Sequence, residues 1–384
     1  MPQTIKCPNC GASLVYQEGT DSLMCPYCGT KVPIRDIPKG SGSSENGAEK
    51  GAPAFSGRSS GTGRASGRAA QAGPDSRTAG AGETSGASEA AGQSKDTVTF
   101  HCSSCGAELI TSAHTAATVC PFCGSPAILE DRLSGRNRPQ SLIPFQYNRD
   151  KAREEFRRWT RSGFFTPRGF GRSSTLDAIE GIYVPCWLFD MQAEAHMEAK
   201  GSIVRSHREG DYMVTETDHY LLSRDTEASF ARIPADASEQ MPDETMDSLE
   251  PYQYDALRDF EPSYLSGYMA ENSNYAPETL QPRAEKRADE AIAAQTRATM
   301  TGFTGVVIVN SQIREKVSAQ EYSMFPVWVL QYRYRGKNWK LYLNGQTGRR
   351  IGSLPVDSGR VVLCFLLCFA VIFGLSALIN LMLL

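Results

Sequence analysis

The hydrophobic and polar positions of this chain are distributed so unevenly that they divide it into segments. The most apolar segment is residues 361–384, where 21 of 24 residues are hydrophobic and none is charged. A helix of that length rises about 36 Å, enough to cross the ~30 Å hydrocarbon core of a bilayer. It has no polar face of the kind that a core helix of a soluble domain normally shows. The pattern therefore predicts one transmembrane helix over 361–384.

The charges beside this segment predict its orientation. Arg349, Arg350 and Arg360 precede it, no Lys or Arg follows it, and no apolar leader opens the chain. Because basic residues favour the cytoplasmic side, we expect a tail-anchored, single-pass protein of the cell membrane whose N-terminal bulk faces the cytoplasm. Ala370 and Gly374 lie one helical turn apart and would favour a homo-oligomer through helix packing, although small residues are also tolerated in lipid without pairing.

A second unusual segment, residues 37–96, has almost no large apolar side chain. Of the 55 residues at 40–94, 36 are Gly, Ser or Ala, and Phe55 is the one aromatic residue. Nothing in it can offset the conformational entropy of ordering by burial, which predicts a disordered linker. Such a linker would make the residues before it a tethered module that moves around the rest of the chain.

Two cysteine clusters with the spacing C-x2-C-x14-C-x2-C repeat 95 residues apart. Their members are Cys7, Cys10, Cys25 and Cys28, and Cys102, Cys105, Cys120 and Cys123. Four thiolates suit one tetrahedral zinc ion, and the two-residue spacers allow turns that direct both sulfurs of a pair at one metal. A glycine follows the second cysteine of each pair, where we expect positive φ. The sequence predicts two zinc ribbons, residues 1–36 and 97–131, with one Zn²⁺ each.

Other uses of these cysteines are weaker. A cytoplasmic location disfavours disulfides, and no βαβ pattern surrounds either cluster, as a thioredoxin-like dithiol would need. Rubredoxin-like iron binding uses similar turns and stays open. A site closed by four cysteines has no position for a substrate, so each ribbon would act through its surface. Residues 97–131 contain no Lys or Arg, and residues 1–36 balance their charges. Because nucleic-acid binding needs a basic footprint, we expect protein partners instead.

Residues 132–360 show strand and helix patterns typical of a β-rich α+β domain. Ser141–Gln146 predicts a strand, and Asn148 can cap a basic helix that ends near Arg161. That helix could lie on anionic lipid, or its charged face could simply be solvated. Pro282 predicts the start of a helix that ends near Met300, and Gly305–Val309 predicts the strand after it. The net result is a mixed sheet.

Two apolar segments of this region share a P-x-W core, which suggests two related halves. Pro185 interrupts the first segment, Gly181–Asp190, and Pro326 lies in the second, Met324–Gln331. Alternating polar and apolar residues follow each core, at 191–204 and 332–343, as in half-buried strands. Asn344-Gly345 then predicts a tight turn.

The composition and the absence of catalytic motifs exclude several classes of protein. The chain has 384 residues, 40% of them hydrophobic, and a net charge of −3, which rules out a collagen, a fully disordered chain and a strongly basic nucleic-acid coat protein. No phosphate-binding loop, G-x-S-x-G or H-E-x-x-H is present. His196, His207 and His219 fall on predicted strands near glutamates, so a metal or acid–base cluster is an alternative to exposed strand residues. We expect Cys186 to be buried and no enzyme activity.

Five motifs carry a resemblance to a known family. They are CPFCG at 120–124, SLIPFQ at 141–146, GIYVPCWLFD at 181–190, EPSYLSGY at 261–268 and LNGQTGRRIG at 343–352. In this order they resemble bacterial membrane proteins known as TFIIB-type zinc ribbon-containing proteins, some of which carry names that suggest a primosomal helicase or an RNA polymerase subunit. The resemblance covers about Cys102–Pro355. A helicase needs a phosphate-binding loop, and this chain has none.

The resemblance implies a role in envelope maintenance with SPFH (flotillin-like) or phage-shock-protein-A-like partners. Two ribbons and a long spacer distinguish this chain from many relatives. The sequence therefore predicts a multidomain scaffold: two four-cysteine zinc ribbons, a β-rich α+β domain and one C-terminal transmembrane helix that contacts membrane lipid. The alternative is a membrane-tethered nucleic-acid-binding or transcription-associated factor that uses the ribbons.

Overall fold

A computed structural model describes residues 2–37, 97–167, 170 and 179–383. The predicted disordered linker, except Ile37, lies outside the described residues. Residues 2–37 hold the first cysteine cluster and are called module 1; residues 97–131 hold the second and are called module 2. Both modules belong to one compact unit with the rest of the described chain.

The modules begin with small sheets. Module 1 contains the antiparallel strands β1 (Val15–Gln17), β2 (Ser22–Met24) and β3 (Lys31–Pro33). Module 2 opens with a hairpin of β4 (Thr97–His101) and β5 (Glu108–Ser112). Short strands are typical of folds in which a metal replaces most of the hydrophobic core.

A ten-stranded mixed sheet organises the rest. Its strands are β6 (Thr115–Val119), β7 (Pro126–Ile128), β8 (Ser141–Leu142), β9 (Ile179–Glu209), β10 (Tyr212–Asp236), β11 (Arg258–Asp259), β12 (Met269–Glu271), β13 (Gly305–Tyr334), β14 (Lys337–Asn344) and β15 (Arg350–Gly352). The strand order is β11-β8-β13-β9-β12-β6-β7, with β10 on β9, β14 on β13 and β15 on β14. The prediction of a mixed, sheet-rich domain is confirmed. Strands β6 and β7 come from module 2, so module 2 contributes two strands to this sheet.

The two P-x-W segments lie side by side at the centre of this sheet. Strands β9 and β13 pair antiparallel, which places Pro185 opposite Met324 and Pro326 opposite Tyr183. Each strand is followed by a hairpin, to β10 and to β14 respectively. Both prolines are accommodated within their strands, so the expected interruption at Pro185 is wrong. The origin of the halves as repeats stays a prediction.

The described residues also form four α-helices: α1 (Arg149–Ser162), α2 (Asp243–Leu249), α3 (Pro277–Ala298) and α4 (Ser358–Leu383). The predicted cap of α1 is confirmed, because Asn148 Oδ1 accepts from the Lys151 amide at 2.8 Å. The predicted start of α3 at Pro282 is wrong. Pro277 opens the helix, where no intrahelical N–H is needed, and Pro282 costs it one hydrogen bond near its start.

Helix α3 packs along the long strands because its contact face is made of small residues. Ala284, Ala288 and Ile292 are fully buried against alternate residues of β9, including Met191 and Ala193. The opposite face of β9 carries the polar residues of the predicted alternation, which confirms that this segment is a half-buried strand.

Three strand lengths differ from the sequence expectation. The strand expected at Gly305–Val309 extends to Tyr334, because it pairs with β9 from Gly305 to Leu330 and with β14 as far as Tyr334. The one expected at Ser141–Gln146 is limited to Ser141–Leu142. The one expected over 332–343 is divided by a tight turn, where Arg335 and Gly336 both have positive φ. The alternation of polar and apolar residues along one strand does not indicate where its partner strand ends.

The C-terminal helix is long and apolar enough to span a membrane over Ser358–Ile379, and none of that stretch is buried. Its first turn contacts the preceding domain, since Arg360 Nη1 donates to the carbonyl of Thr166 at 2.6 Å. The Asp357 amide likewise donates to the carbonyl of Phe165 at 2.8 Å.

Candidate metal centres

The structure brings all eight predicted cysteine ligands together in two groups of four. Within each group, the Sγ atoms lie within 4.8 Å of one another. In module 1 the sulfurs of Cys10 and Cys25 are 3.5 Å apart and those of Cys7 and Cys28 are 3.6 Å apart. In module 2 the corresponding distances are 3.7 Å for Cys102 and Cys123 and 3.8 Å for Cys105 and Cys120. A tetrahedron of sulfurs about 2.3 Å from a zinc ion has edges of about 3.8 Å. Both groups therefore fit one tetrahedral metal ion each.

Every cysteine pair lies in a turn of the same geometry. The glycine amide after the second cysteine donates to the carbonyl of the first cysteine, at 2.8–3.0 Å in all four turns. The φ angles of these glycines lie between 70° and 74°, which confirms the predicted left-handed conformation. The glycines are Gly11, Gly29, Gly106 and Gly124.

In each group, the first cysteine of both pairs is buried and the second is exposed. The metal position thus lies at the surface but is enclosed by four ligands. A closed set of four thiolates holds a fold together and leaves no position for a reacting molecule.

A hydroxyl group supports the last cysteine of each group, a feature that the sequence analysis missed. Thr30 Oγ1 lies 3.1 Å from Cys28 Sγ, and its hydrogen bond lowers the pKa of the Cys28 thiol to about 6. Ser125 lowers the pKa of Cys123 to about 6 in the same way. The signal was present, because a hydroxyl residue stands two positions after the last cysteine in both copies.

We expect Thr30→Val to weaken metal binding by module 1 about 10- to 100-fold, the usual cost of losing a hydrogen bond to a ligand. The variant keeps the side-chain shape but cannot donate to the Cys28 thiolate. Competition for Zn²⁺ with a chromogenic chelator measures the change. Thr20→Val is the matched control, because the Thr20 hydroxyl bonds to Gln17 and Ser22 and touches no cysteine. Equal affinities for the two variants would contradict the prediction.

Module 1 packs into the main hydrophobic core, so the expectation of a freely tethered module is wrong. Leu14, Tyr16 and Leu23 are at most 2% exposed and belong to the same buried cluster as Phe145 and Tyr268. A module of this size gains a core by sharing that of its neighbour, which the chain composition does not reveal.

The docking surface for module 1 is the segment 261–268. The Tyr16 amide donates to the Ser266 carbonyl at 2.9 Å, and Ser266 Oγ donates to the Leu14 carbonyl at 2.6 Å. Tyr264 donates its hydroxyl to Asp21 at 3.1 Å, and Tyr268 donates to Glu18. Burial raises the pKa of the Tyr268 hydroxyl well above its usual value, so it remains a donor.

Four of the five motifs that carry the family resemblance meet at this docking surface; CPFCG at 120–124 lies in module 2 instead. Phe145 stacks on Tyr268 with ring centroids 4.3 Å apart, and it contacts Tyr183 and Trp328 edge-on at 4.9 and 5.1 Å. The Gly345 carbonyl accepts hydrogen bonds from the amides of the two residues that follow Phe145, both at 2.9 Å. These motifs therefore build one aromatic core beneath module 1.

The two modules also contact each other. Gln3 and Ile128 exchange two backbone hydrogen bonds of 2.8 and 3.0 Å, which adds a β-bridge to the edge of β7. Thr4 Oγ1 donates to the Pro126 carbonyl at 2.9 Å, and Lys6 Nζ lies 3.2 Å from Ser104 Oγ. Both metal centres are thus carried by one continuous structure.

An aromatic ring projects from the second cysteine turn of each module. Tyr27 is 80% exposed and Phe122 is 73% exposed, and they occupy equivalent positions of the repeat. Large aromatic side chains are enriched at protein interfaces and cost solubility when left open. These two positions were not among the predicted functional residues, although both are aromatic residues that precede the last cysteine of a C-P-[YF]-C sequence.

The alternative site of histidines and glutamates does not assemble. His196 pairs with Asp225 at 2.7 Å, which raises the pKa of the histidine, while His207 and His219 are exposed on the β9–β10 hairpin. Within the described ranges, the metal-binding geometry is confined to the two cysteine groups. Cys186 is buried as predicted, and burial raises the pKa of its thiol.

Comparison with known proteins gives one informative relative. No protein-family model and no solved structure matches the chain. The uncharacterized protein YdjG of Bacillus subtilis (strain 168) is 35% identical over 360 residues, which cover 94% of this chain and 92% of YdjG. The chain belongs to the family of Bacillus subtilis YdjG.

Proposed function

We propose that the chain is a zinc-ribbon scaffold that binds other proteins at the cytoplasmic face of the cell membrane. The observation that carries this proposal is the pair of exposed aromatic rings, Tyr27 and Phe122, at equivalent positions of the two cysteine modules. Closed four-cysteine sites supply rigidity rather than catalysis, so the chemistry of the modules lies in what their surfaces bind.

The remaining parts fit this role. We infer that each cysteine group holds Zn²⁺ and that the modules are zinc ribbons of the TFIIB type. Helix α4 attaches the chain to the membrane, and the arginines that precede it place the described domain in the cytoplasm. The candidate partners are SPFH or phage-shock-protein-A-like proteins of the envelope.

The rival function, nucleic-acid binding, lacks a basic surface on the modules. Module 2 has no Lys or Arg, and Lys6 of module 1 is engaged with Ser104 of module 2. Tight binding of DNA or RNA by the full chain in detergent, with a steep dependence on salt, would favour the rival.

We expect Tyr27→Ala combined with Phe122→Ala to abolish partner binding without loss of metal. Truncating an aromatic ring that acts as a binding hot spot removes about 2 kcal/mol or more, whereas the loss of two exposed rings leaves the folded core unchanged. The measurement is photo-crosslinking in cells that co-express SPFH or phage-shock-protein-A-like proteins. The photoreactive amino acid is placed at position 110 of module 2.

Tyr212→Ala is the matched control, because Tyr212 is an equally exposed ring (78%) on the β9–β10 hairpin. It should leave the crosslinks intact. Crosslinks that survive in the double variant, or that disappear with the control, would show that the modules are not the protein-binding surface.

A further inference from the structure

A cavity of about 620 Å³ lies where the first turns of α4 meet the end of α1 and the loop after it. Its lining includes two basic residues, Arg161 and Arg360, and the apolar residues Leu363 and Leu367 of α4. Leu367 lies about 10 Å beyond Arg360 along the axis of α4, further into the apolar helix. The cavity thus changes from basic to apolar along the direction of a membrane lipid.

The two arginines have no acidic partner among the described residues. Arg360 bonds to the carbonyls of Phe164 and Thr166, at 3.4 and 2.6 Å, which fixes the guanidinium without neutralising its charge. Arg161 is exposed and joins no ion pair within the described part of the chain, in contrast to Arg158, which pairs with Glu154 and Glu155 at 3.1 and 2.7 Å. A phosphate-bearing group would neutralise the positive charge of both guanidinium groups and accept their hydrogen bonds.

An exposed aromatic ring, that of Phe164, lies beside the same cavity. Phe164 lines the cavity and is 75% exposed, with Phe165 packed edge-on against it at 5.0 Å. Apolar aromatic rings beside basic residues are typical of surfaces that enter the headgroup region of a bilayer. Here they lie next to a helix that is long and apolar enough to span it.

We propose that this cavity binds the phosphate headgroup of an anionic phospholipid, with Arg161 and Arg360 on the phosphate and Leu363 and Leu367 along the acyl chains. This inference rests on the membrane attachment proposed above. The bound lipid orders the junction between α1 and α4, and therefore sets the position of the metal-bound modules above the membrane.

The test compares lipids retained by the full chain after purification in detergent from an equal mixture of phosphatidylglycerol and phosphatidylcholine, measured by native mass spectrometry. The wild type should retain phosphatidylglycerol preferentially. Each arginine near a lipid surface is worth about a five-fold preference, so Arg161→Gln alone should lower the ratio about five-fold and R161Q/R360Q should lower it to near one. R205Q/R208Q, on the far hairpin, removes the same charge and should change nothing.

Two further arms separate the outcomes. Excess inorganic phosphate should fail to displace the lipid; displacement would identify a free phosphate site and overturn the proposal, as would an unchanged ratio in both arginine variants. Flotation of the chain with phosphatidylcholine vesicles tests membrane attachment separately. A chain that floats without a phosphatidylglycerol preference refutes the lipid site alone, whereas a chain that does not float refutes the proposed membrane attachment itself.

Discussion

Replacing Cys25 with serine will leave one metal ion per chain instead of two and will unfold module 1. Cys25 is buried, and its sulfur lies 3.5 Å from that of Cys10, so no other side chain can take its place. Metal binding contributes on the order of 10–16 kcal/mol to small zinc folds, which is comparable to the whole stability of a typical domain. Elemental analysis for zinc and iron counts the metal, and amide hydrogen exchange over residues 2–37 reports the unfolding.

The control for this experiment is Cys186→Ala, which also removes a buried thiol. Cys186 touches no metal position and bonds to the Ala235 carbonyl at 3.3 Å, so its loss costs about 1 kcal/mol and leaves two ions per chain. Cys120→Ser should reproduce the loss of one ion in module 2. Retention of two ions by C25S, or unchanged protection of residues 2–37, would show that the cysteine group is not a structural metal site.

Replacing Gly267 with alanine will separate module 1 from the sheet while both metal sites stay intact. Gly267 has φ of +94°, and a Cβ there would lie 2.4 Å from Cγ1 of Val15. The left-handed conformation costs about 1 kcal/mol and the overlap costs about 1–3 kcal/mol more. We expect the free energy of unfolding to fall by about 2–4 kcal/mol, with increased hydrogen exchange at β1 and at segment 261–268.

Two variants distinguish the overlap from the backbone strain. Gly336→Ala carries the strain alone, because φ is +77° and nothing lies within 4 Å of its Cβ position, so it should cost about 1 kcal/mol. Adding Val15→Ala to G267A removes the overlapping methyl group and should restore part of the lost stability. Denaturant unfolding measures the loss of stability in each variant. Equal losses of unfolding free energy for G267A and G336A would mean that module 1 is not packed against segment 261–268.

The parts of the structure that the sequence predicts are those encoded by local spacing. The eight cysteines, the cap at Asn148 and the apolar helix each depend on residues within a few turns of one another. The docking of module 1 depends instead on Ser266 and Tyr268, about 250 positions away, whose side chains look unremarkable until the fold brings them together. The length of β13 likewise follows from its partner β9.

Chain composition also misled about the role of the spacer. A polar, small-residue segment between two cysteine clusters implies an independent module at its end, and that inference ignores what the module surface must bury. Leu14, Tyr16 and Leu23 are too many apolar side chains for a three-stranded sheet to cover by itself. Asking which apolar residues of a small metal-bound fold lack internal partners would have predicted a docking surface, although not its location.

The hydrogen bond between Leu14 and Ser266 joins residues that are 252 positions apart, which sets an order of events during synthesis. At 5–20 residues per second, module 1 leaves the ribosome about 13–50 s before its docking segment exists. Throughout that interval its cysteines are present without the aromatic core that later holds them. Module 1 is therefore available to a metal ion before the segment 261–268 on which it docks has been synthesised.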